Sequence, residues 1–551
     1  MEAPVSSPSM GVGSNAPAST SAARPLAPKG AWKAPLRELL RWCLPALILG
    51  LALRAALTWS MPYGYVQYDT SDYLTTVYHI IDKHEFYIHN KRSYLTPTLF
   101  AAAWLLPIPA TITIAAAQHV MGLIATLIVG ALVRLWFRFW RVAIIPVTVL
   151  FTSNPSVLWY EHTLMGEAQF LFFTLLMALA GTLFALRPTT KRLIWFIVSL
   201  LLVYGTRLES KTYVLFALLL VVCVLWRQWK QLAIGVGAVL VSYLVAFHVS
   251  GDRDVSALVY ASIIRFAPTT SASTPDIMPE MNRIREQARK HSVDYPTKTV
   301  RVSKYINHAV DAYATAHVQG KKKHAAEESR IVRGLCLETL KAEPVRTLME
   351  PWVKFRLAID AWSSYCWDKK SLWERQHDAF VGKEWMTTVL SRGLTGQAQT
   401  LDQIPLWIKA HHSSERVAWF TRYQRNWNKH LIHFRTADRP MEERRWVHDF
   451  FGGVGHWLYT FPGLPYFYIL GFLGMFASVL RPPQLRAVHF ALVATVLGGL
   501  YVCSMVGVTN GRFRFVYEPF FLLYFFFLFD CVADFWNELR DRWVDSHACS
   551  T

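Results

Sequence analysis

The chain is short of charge, and that shortage sets its class. Of its 551 residues, 17% are Asp, Glu, Lys or Arg, against 53% hydrophobic and 14% aromatic. A water-soluble chain carries about 25% charged residues, so a single soluble globular domain is excluded. Cysteine is sparse as well. The seven cysteines are scattered and form no Cys-x-x-Cys pair, which removes a zinc ribbon or a dithiol redox site. No His/Asp cluster has metal-ligand spacing, so a divalent metal is chemically compatible with the chain but not implied by it, and no cofactor is expected. No repeat of fixed period and no inverted repeat is visible, which argues against the usual build of a secondary transporter.

What the chain has instead is long apolar runs. Crossing a hydrocarbon core takes about 20 apolar residues per helix, and only helices or closed barrels satisfy the backbone there. These runs are too long and continuous for barrel strands. The expected fold is an all-α integral membrane protein of about ten transmembrane helices, near 42–60, 112–133, 142–160, 168–186, 193–208, 212–226, 231–249, 457–480, 487–507 and 516–536. The net charge of +19 fits this plan better than it fits nucleic acid. Much of it lies in short segments between apolar runs: Arg134, Arg138 and Arg141; Arg187, Lys191 and Arg192; Arg227 and Lys230; Arg481 and Arg486. Under the positive-inside rule these are cytoplasmic loops, and ten crossings then place both termini in the cytoplasm. No nucleic-acid partner is expected.

Residues 1–35 are expected to be a disordered cytoplasmic tail, rich in Ala, Ser, Pro and Gly, and unlike a signal peptide because a basic stretch leads into an uncleaved first span. Residues 36–249 form the N-terminal membrane core, with a polar, aromatic first outer loop at 61–96 and a proline-broken interfacial segment at 97–110. Residues 250–455 are a long polar, mostly helical stretch on the outer side, and Cys336 and Cys366 within it are open to either a disulfide or free thiols. The C-terminal spans fill 456–540, and 541–551 return to the cytoplasm.

Candidate chemistry gathers in the outer loops. The first holds Asp69, Asp72 and Tyr73, then Arg92. The second holds Glu161, His162 and Glu167. The third holds Arg207 and Lys211, and the last Arg512 and Arg514. Carboxylates and cations at one membrane face suit attack by an acceptor hydroxyl on a sugar carried by a lipid phosphate. The hydroxyl needs a carboxylate base, and the departing phosphate favours fixed cations. Structural roles remain open beside this one. Asp69 and Asp72 suit a helix N-terminus, Glu167 suits a helix dipole, and Arg207 and Lys211 suit snorkelling anchors. Arg512 and Arg514, two cations on the side where few are expected, point to phosphate.

These motifs resemble the GT-C superfamily of polyprenyl-phosphate-sugar-dependent glycosyltransferases. The likeness is to the bacterial branch related to protein O-mannosyltransferases and to lipid A aminoarabinose and galacturonic acid transferases. Asp69-Thr70-Ser71-Asp72-Tyr73 is similar to that branch's Asp-Ser-x-x-Tyr element. Arg92 to Pro97 keeps part of an Arg-x-Pro-x-Tyr-Pro element. Leu164-Met165-Gly166-Glu167 resembles Leu-Met-Thr-Glu, and Gly511-Arg512-Phe513-Arg514 followed by Pro519 resembles a late Arg-Tyr-Arg element. The resemblance covers 42–249 and 457–536. It implies a GT-C-like bundle with interfacial helices in the first outer loop, a large extracytoplasmic insertion, and transfer of a sugar, with inversion, from a polyprenyl-phosphate donor to a lipid, glycan or protein acceptor. Asp69 would be the base, with Asp72 able to take that role, and Glu167 a second carboxylate. Arg207, Lys211, Arg512 and Arg514 would bind the donor phosphate; Tyr73, Arg92, Glu161 and His162 would contact substrate. The expected place is the bacterial inner membrane, with the site facing the periplasm. The alternatives are a secondary transporter or lipid-linked glycan flippase, and a non-catalytic polysaccharide assembly protein.

Overall fold

Apolar runs at helical length dictate the architecture. In the computed structural model the described residues are 33–62, 64, 70–82, 84–86, 88, 92–249, 270–272, 274–290, 309–310, 312–318, 321–345, 347, 349, 444, 446–447, 449–451, 453–454, 464–478, 483–505 and 515–548. Among them the ordered elements are all helices: α1 Lys33–Ser60, α2 Thr70–Asp82, α3 Leu95–Trp104, α4 Ala110–Trp136, α5 Trp140–Thr152, α6 Pro155–Glu161, α7 Glu167–Leu186, α8 Thr190–Thr206, α9 Tyr213–Leu225, α10 Trp229–Val249, α11 Met278–Lys290, α12 Lys321–Ala342, α13 Leu464–Ala477, α14 Pro483–Met505 and α15 Glu518–Ala548.

Among the described residues, five helical stretches are long and apolar enough to cross a membrane: Leu36–Ser60, Ala110–Trp136, Glu167–Leu186, Trp229–Val249 and Phe515–Val544. Their outward faces remain apolar. Leu44, Ile48 and Leu51 on α1, and Ile234, Val241 and Leu244 on α10, are more than half exposed in the isolated chain. Apolar faces of this extent need lipid rather than water against them.

The expected third span at 142–160 is broken. α5 and α6 meet at a bend of 51°. The cause is local. Pro155 has no N–H and disfavours helical backbone at the residue before it, while the Asn154 side chain accepts from the Ser156 backbone N–H at 2.8 Å and so starts a new helix. The proline-broken segment at 97–110 becomes the short helix α3, then a turn, then the start of α4. Pro97 is tolerated because it sits in the first turn, where backbone donors have no helical partner.

α4 is the central post. It packs on α1, α3, α5, α6 and α7, while α7 packs also on α8 and α14, and α13 lies along α15. Charge separates the two ends of this bundle. At one end Arg134 and Arg141 pair with Glu38 of α1 at 3.0 and 3.6 Å, and Trp42 and Trp140 meet edge to face. Asp530 of α15 accepts from the backbone N–H groups of Arg138 and Phe139, and Asp534 pairs with Arg138. The beginning of α1 and the middle of α15 thus lie at the same end. The opposite end carries the close of α1, α2, α3, the α6–α7 turn and the start of α15.

Away from the membrane helices, Ile277, Met278, Met281, Val310, Ile331, Val332, Leu335 and Cys336 form a small separate core around α11 and α12. Cys336 is a free, buried thiol. Cys366 lies outside the described residues.

Candidate functional site

The site starts from the five residues between α6 and α7, His162 to Gly166. Here the chain leaves helix, and its carbonyls are taken by side chains of other elements. Thr70, the first residue of α2, donates its hydroxyl to the Leu164 carbonyl at 2.9 Å. Gln118 of α4 donates to the Met165 carbonyl at 2.7 Å. Gly166 closes the turn. A side-chain carbon there would crowd the Thr96 hydroxyl and the Tyr73 phenol, so the close approach of α2 and α3 requires glycine.

Glu167 then opens α7. It is buried, sits where the helix dipole favours an anion, and forms a 2.7 Å ion pair with Arg207, equally buried, at the end of α8. The pair is framed by polar groups. Thr96 of α3 donates to Gln169 Oε1 at 2.8 Å. Tyr73 packs on Phe100 and carries the Arg92 guanidinium over its ring at 4.8 Å. Lys211 stands over the Phe247 ring at 4.4 Å. The last loop arrives at the same end, with Phe515 against Tyr160 at a ring separation of 4.3 Å.

Thr70, Glu167, Arg207 and Phe515, far apart in sequence, therefore lie at one end of the bundle. Tyr73, Arg92, Glu167, Arg207 and Lys211 stand in that region. Asp72 is the third residue of α2. Asp69, Arg512 and Arg514 lie outside the described residues, next in the chain to or close before elements that belong to this end.

Glu161 and His162 face inward, toward Arg54 and His119. Both Glu161 oxygens accept from Arg54 of α1, at 2.6 and 2.7 Å, in the forked geometry that suits a guanidinium and a carboxylate. Arg54 also donates to Thr152 Oγ1 at 3.0 Å. His119 Nδ1 lies 3.0 Å from Glu161, His119 Nε2 lies 2.9 Å from His162 Nδ1, and His162 Nε2 lies 2.8 Å from the Met61 carbonyl. Arg54, Glu161, His119 and His162 are 3%, 2%, 6% and 0% exposed, so this is an interior polar layer behind the site. Gly122 makes room for it, since a side-chain carbon there would land on Glu161 Oε1.

Arg54, Gln118, Thr96 and Gln169 were not singled out from sequence. Arg54 carried a usable signal, a cation well inside an apolar run. The others did not, because their partners lie 47 to 110 residues away. Among the described residues no group of three or more His, Cys, Asp or Glu is placed to hold a metal ion. The chain matches no protein-family model and no curated protein.

Proposed function

We infer that this protein is an integral membrane glycosyltransferase that moves a sugar from a polyprenyl phosphate to an acceptor hydroxyl outside the cytoplasm. The observation that carries the reading is the junction of the acidic first loop with the Glu167–Arg207 pair. Thr70, next to Asp69, is tied to Leu164 in the turn that ends at Glu167. That junction puts an anion and a cation side by side at the end of an apolar bundle, where a lipid-borne phosphate arrives.

In this reading Asp69 removes the proton of the acceptor hydroxyl, with Asp72 as the other candidate. The hydroxyl oxygen bonds to the anomeric carbon as the bond to the polyprenyl phosphate breaks, which inverts the sugar. Arg207, Lys211, Arg512 and Arg514 take up the charge on the departing phosphate. Arg207 also holds Glu167, which orients sugar or acceptor. Tyr73 and Arg92 form the wall beside it. Glu161 and His162 hold the turn from behind. The ten apolar stretches make ten crossings of a bacterial inner membrane, both termini stay cytoplasmic, the site faces the periplasm, and residues 250–455 cover it and help select the acceptor.

The test is sugar transfer by purified full-length protein from a panel of radiolabelled polyprenyl-phosphate sugars. At least one donor should be consumed, and Asp69→Asn should lose transfer by a hundredfold or more, the range for removing a general base. A panel left untouched, or an Asp69→Asn protein as active as the parent, overturns the assignment.

The broken α5–α6 pair with a buried ion cluster beside it favours one second reading, a secondary transporter, because such sites sit on interrupted helices. Uptake of labelled substrate into proteoliposomes under an imposed pH gradient, without donor consumption, would select it.

A further inference from the structure

The interior polar layer contains more hydrogen bonds than neutral imidazoles can supply. Two rings, His119 and His162, stand in series between two groups. One is the Met61 carbonyl, which only accepts. The other is the Glu161 carboxylate, whose two oxygens already accept from Arg54. Three contacts of 2.8, 2.9 and 3.0 Å join this series, and each needs one hydrogen between its heavy atoms. A neutral imidazole carries one N–H, so two neutral rings bring two hydrogens to three contacts. Any neutral arrangement sets a lone pair against a lone pair in one of them.

We propose that His119 and His162 bind a single extra proton, shared across the Nε2–Nδ1 contact as a buried imidazole–imidazolium pair, with Glu161 as its counter-ion. His162 Nε2–H donates to Met61, His119 Nδ1–H donates to Glu161, and the third hydrogen lies between the rings. Among the described residues, the charged groups facing the pair are Arg54 from α1 and Glu161 from α6; α4 contributes His119 itself. With Arg54 and Glu161 both ionised, these two groups and the protonated pair together carry one positive charge, and each of the three contacts in the series has its hydrogen.

The consequence is mechanical. The bound proton stitches the close of α1, the middle of α4 and the turn leading to Glu167 into one unit. Met61 is the first residue of the acidic first loop, so one of the ties of that loop to the bundle depends on the proton. The inference does not depend on glycosyl transfer, and a transporter or a scaffold with this layer would hold the same proton.

The test is magic-angle-spinning NMR of full-length protein carrying nitrogen-15 histidine, in lipid nanodiscs at neutral pH. The expected result is a nitrogen–nitrogen coupling across an N–H···N bond linking two histidine rings. One of these rings should have both nitrogens protonated, and both signals should be lost in His119→Gln and in His162→Gln. The doubly protonated ring in the wild-type spectrum decides the matter even if a variant fails to fold. Two rings each with a single protonated nitrogen, coupled or not, would overturn the proposal. So would an infrared band of a protonated carboxyl group that disappears in Glu161→Gln, since the extra proton would then sit on Glu161.

Discussion

At the scale of single residues, the Arg54–Glu161 pair is the most consequential contact. Its forked hydrogen bonds are buried about 9 Å from the end of α1, counting 1.5 Å per residue from Arg54 to Ser60. Removing one member strands the other charge. Arg54→Ala and Glu161→Ala should each cost about 3–5 kcal/mol, read as lower thermal unfolding temperatures in detergent, while the doubly apolar Arg54→Leu/Glu161→Leu protein should lose less than either. A double variant worse than both singles would show that the pair is held for its packing rather than its charge. Gly122→Ala should unfold at lower temperature as well, because the added methyl displaces Glu161 from its two partners. The sequence made half of this pair legible: a cation inside an apolar run demands a partner. Which carboxylate answers it was not legible, because 107 residues separate the two and only the packing of α1 on α4 and α5 brings them together.

At the scale of elements, boundaries followed caps more closely than apolar runs. The run over 142–160 reads as one span, yet Asn154 and Pro155 divide it, and the division turns Tyr160 and Glu161 inward. Asn154→Ala removes the cap and should cost about 1 kcal/mol of stability, measurable by thermal unfolding of the purified protein. The small core around α11 and α12 was legible only as part of a long polar, mostly helical stretch, since its members come from three segments of that region. Burial there pushes the Cys336 thiol above its usual range. The folded state then favours the protonated form, so this contribution to stability is present below the ordinary thiol range and is lost as pH rises through the raised one. Maleimide labelling should accordingly be slow at Cys336 in the native protein and fast after denaturation. Equal rates in both states would show that this core does not form.

At the scale of the whole molecule, one pattern was clear from the start. Basic residues lie in alternate connections, and the helices do carry Glu38, Arg134, Arg138, Arg141 and Asp534 to one end while Thr70, Glu167, Arg207 and Phe515 meet at the other. That polarity was legible because charge and hydropathy are local properties. The pairing of Glu167 with Arg207 was not, because it depends on how α7 lies against α8. For the proposed transfer, Glu167→Gln should lower activity, and it should lower the unfolding temperature as well, because the buried Arg207 guanidinium loses its carboxylate partner. Transfer unchanged in Glu167→Gln would remove this carboxylate from the reaction.

The apolar stretch from Ser210 to Leu225 spans 16 residues, about 24 Å as helix, against a hydrocarbon thickness of about 30 Å. Leu215 and Val222 on it face outward, so lipid meets this short wall directly beside Arg207 and Lys211. Surrounding chains must compress there, drawing the headgroup plane inward toward the cations by a few ångströms. In the proposed transfer, acyl-chain length would thereby control the distance between a phosphate at the surface and the Arg207 guanidinium, and bilayers of shorter-chain phospholipid should relieve the mismatch.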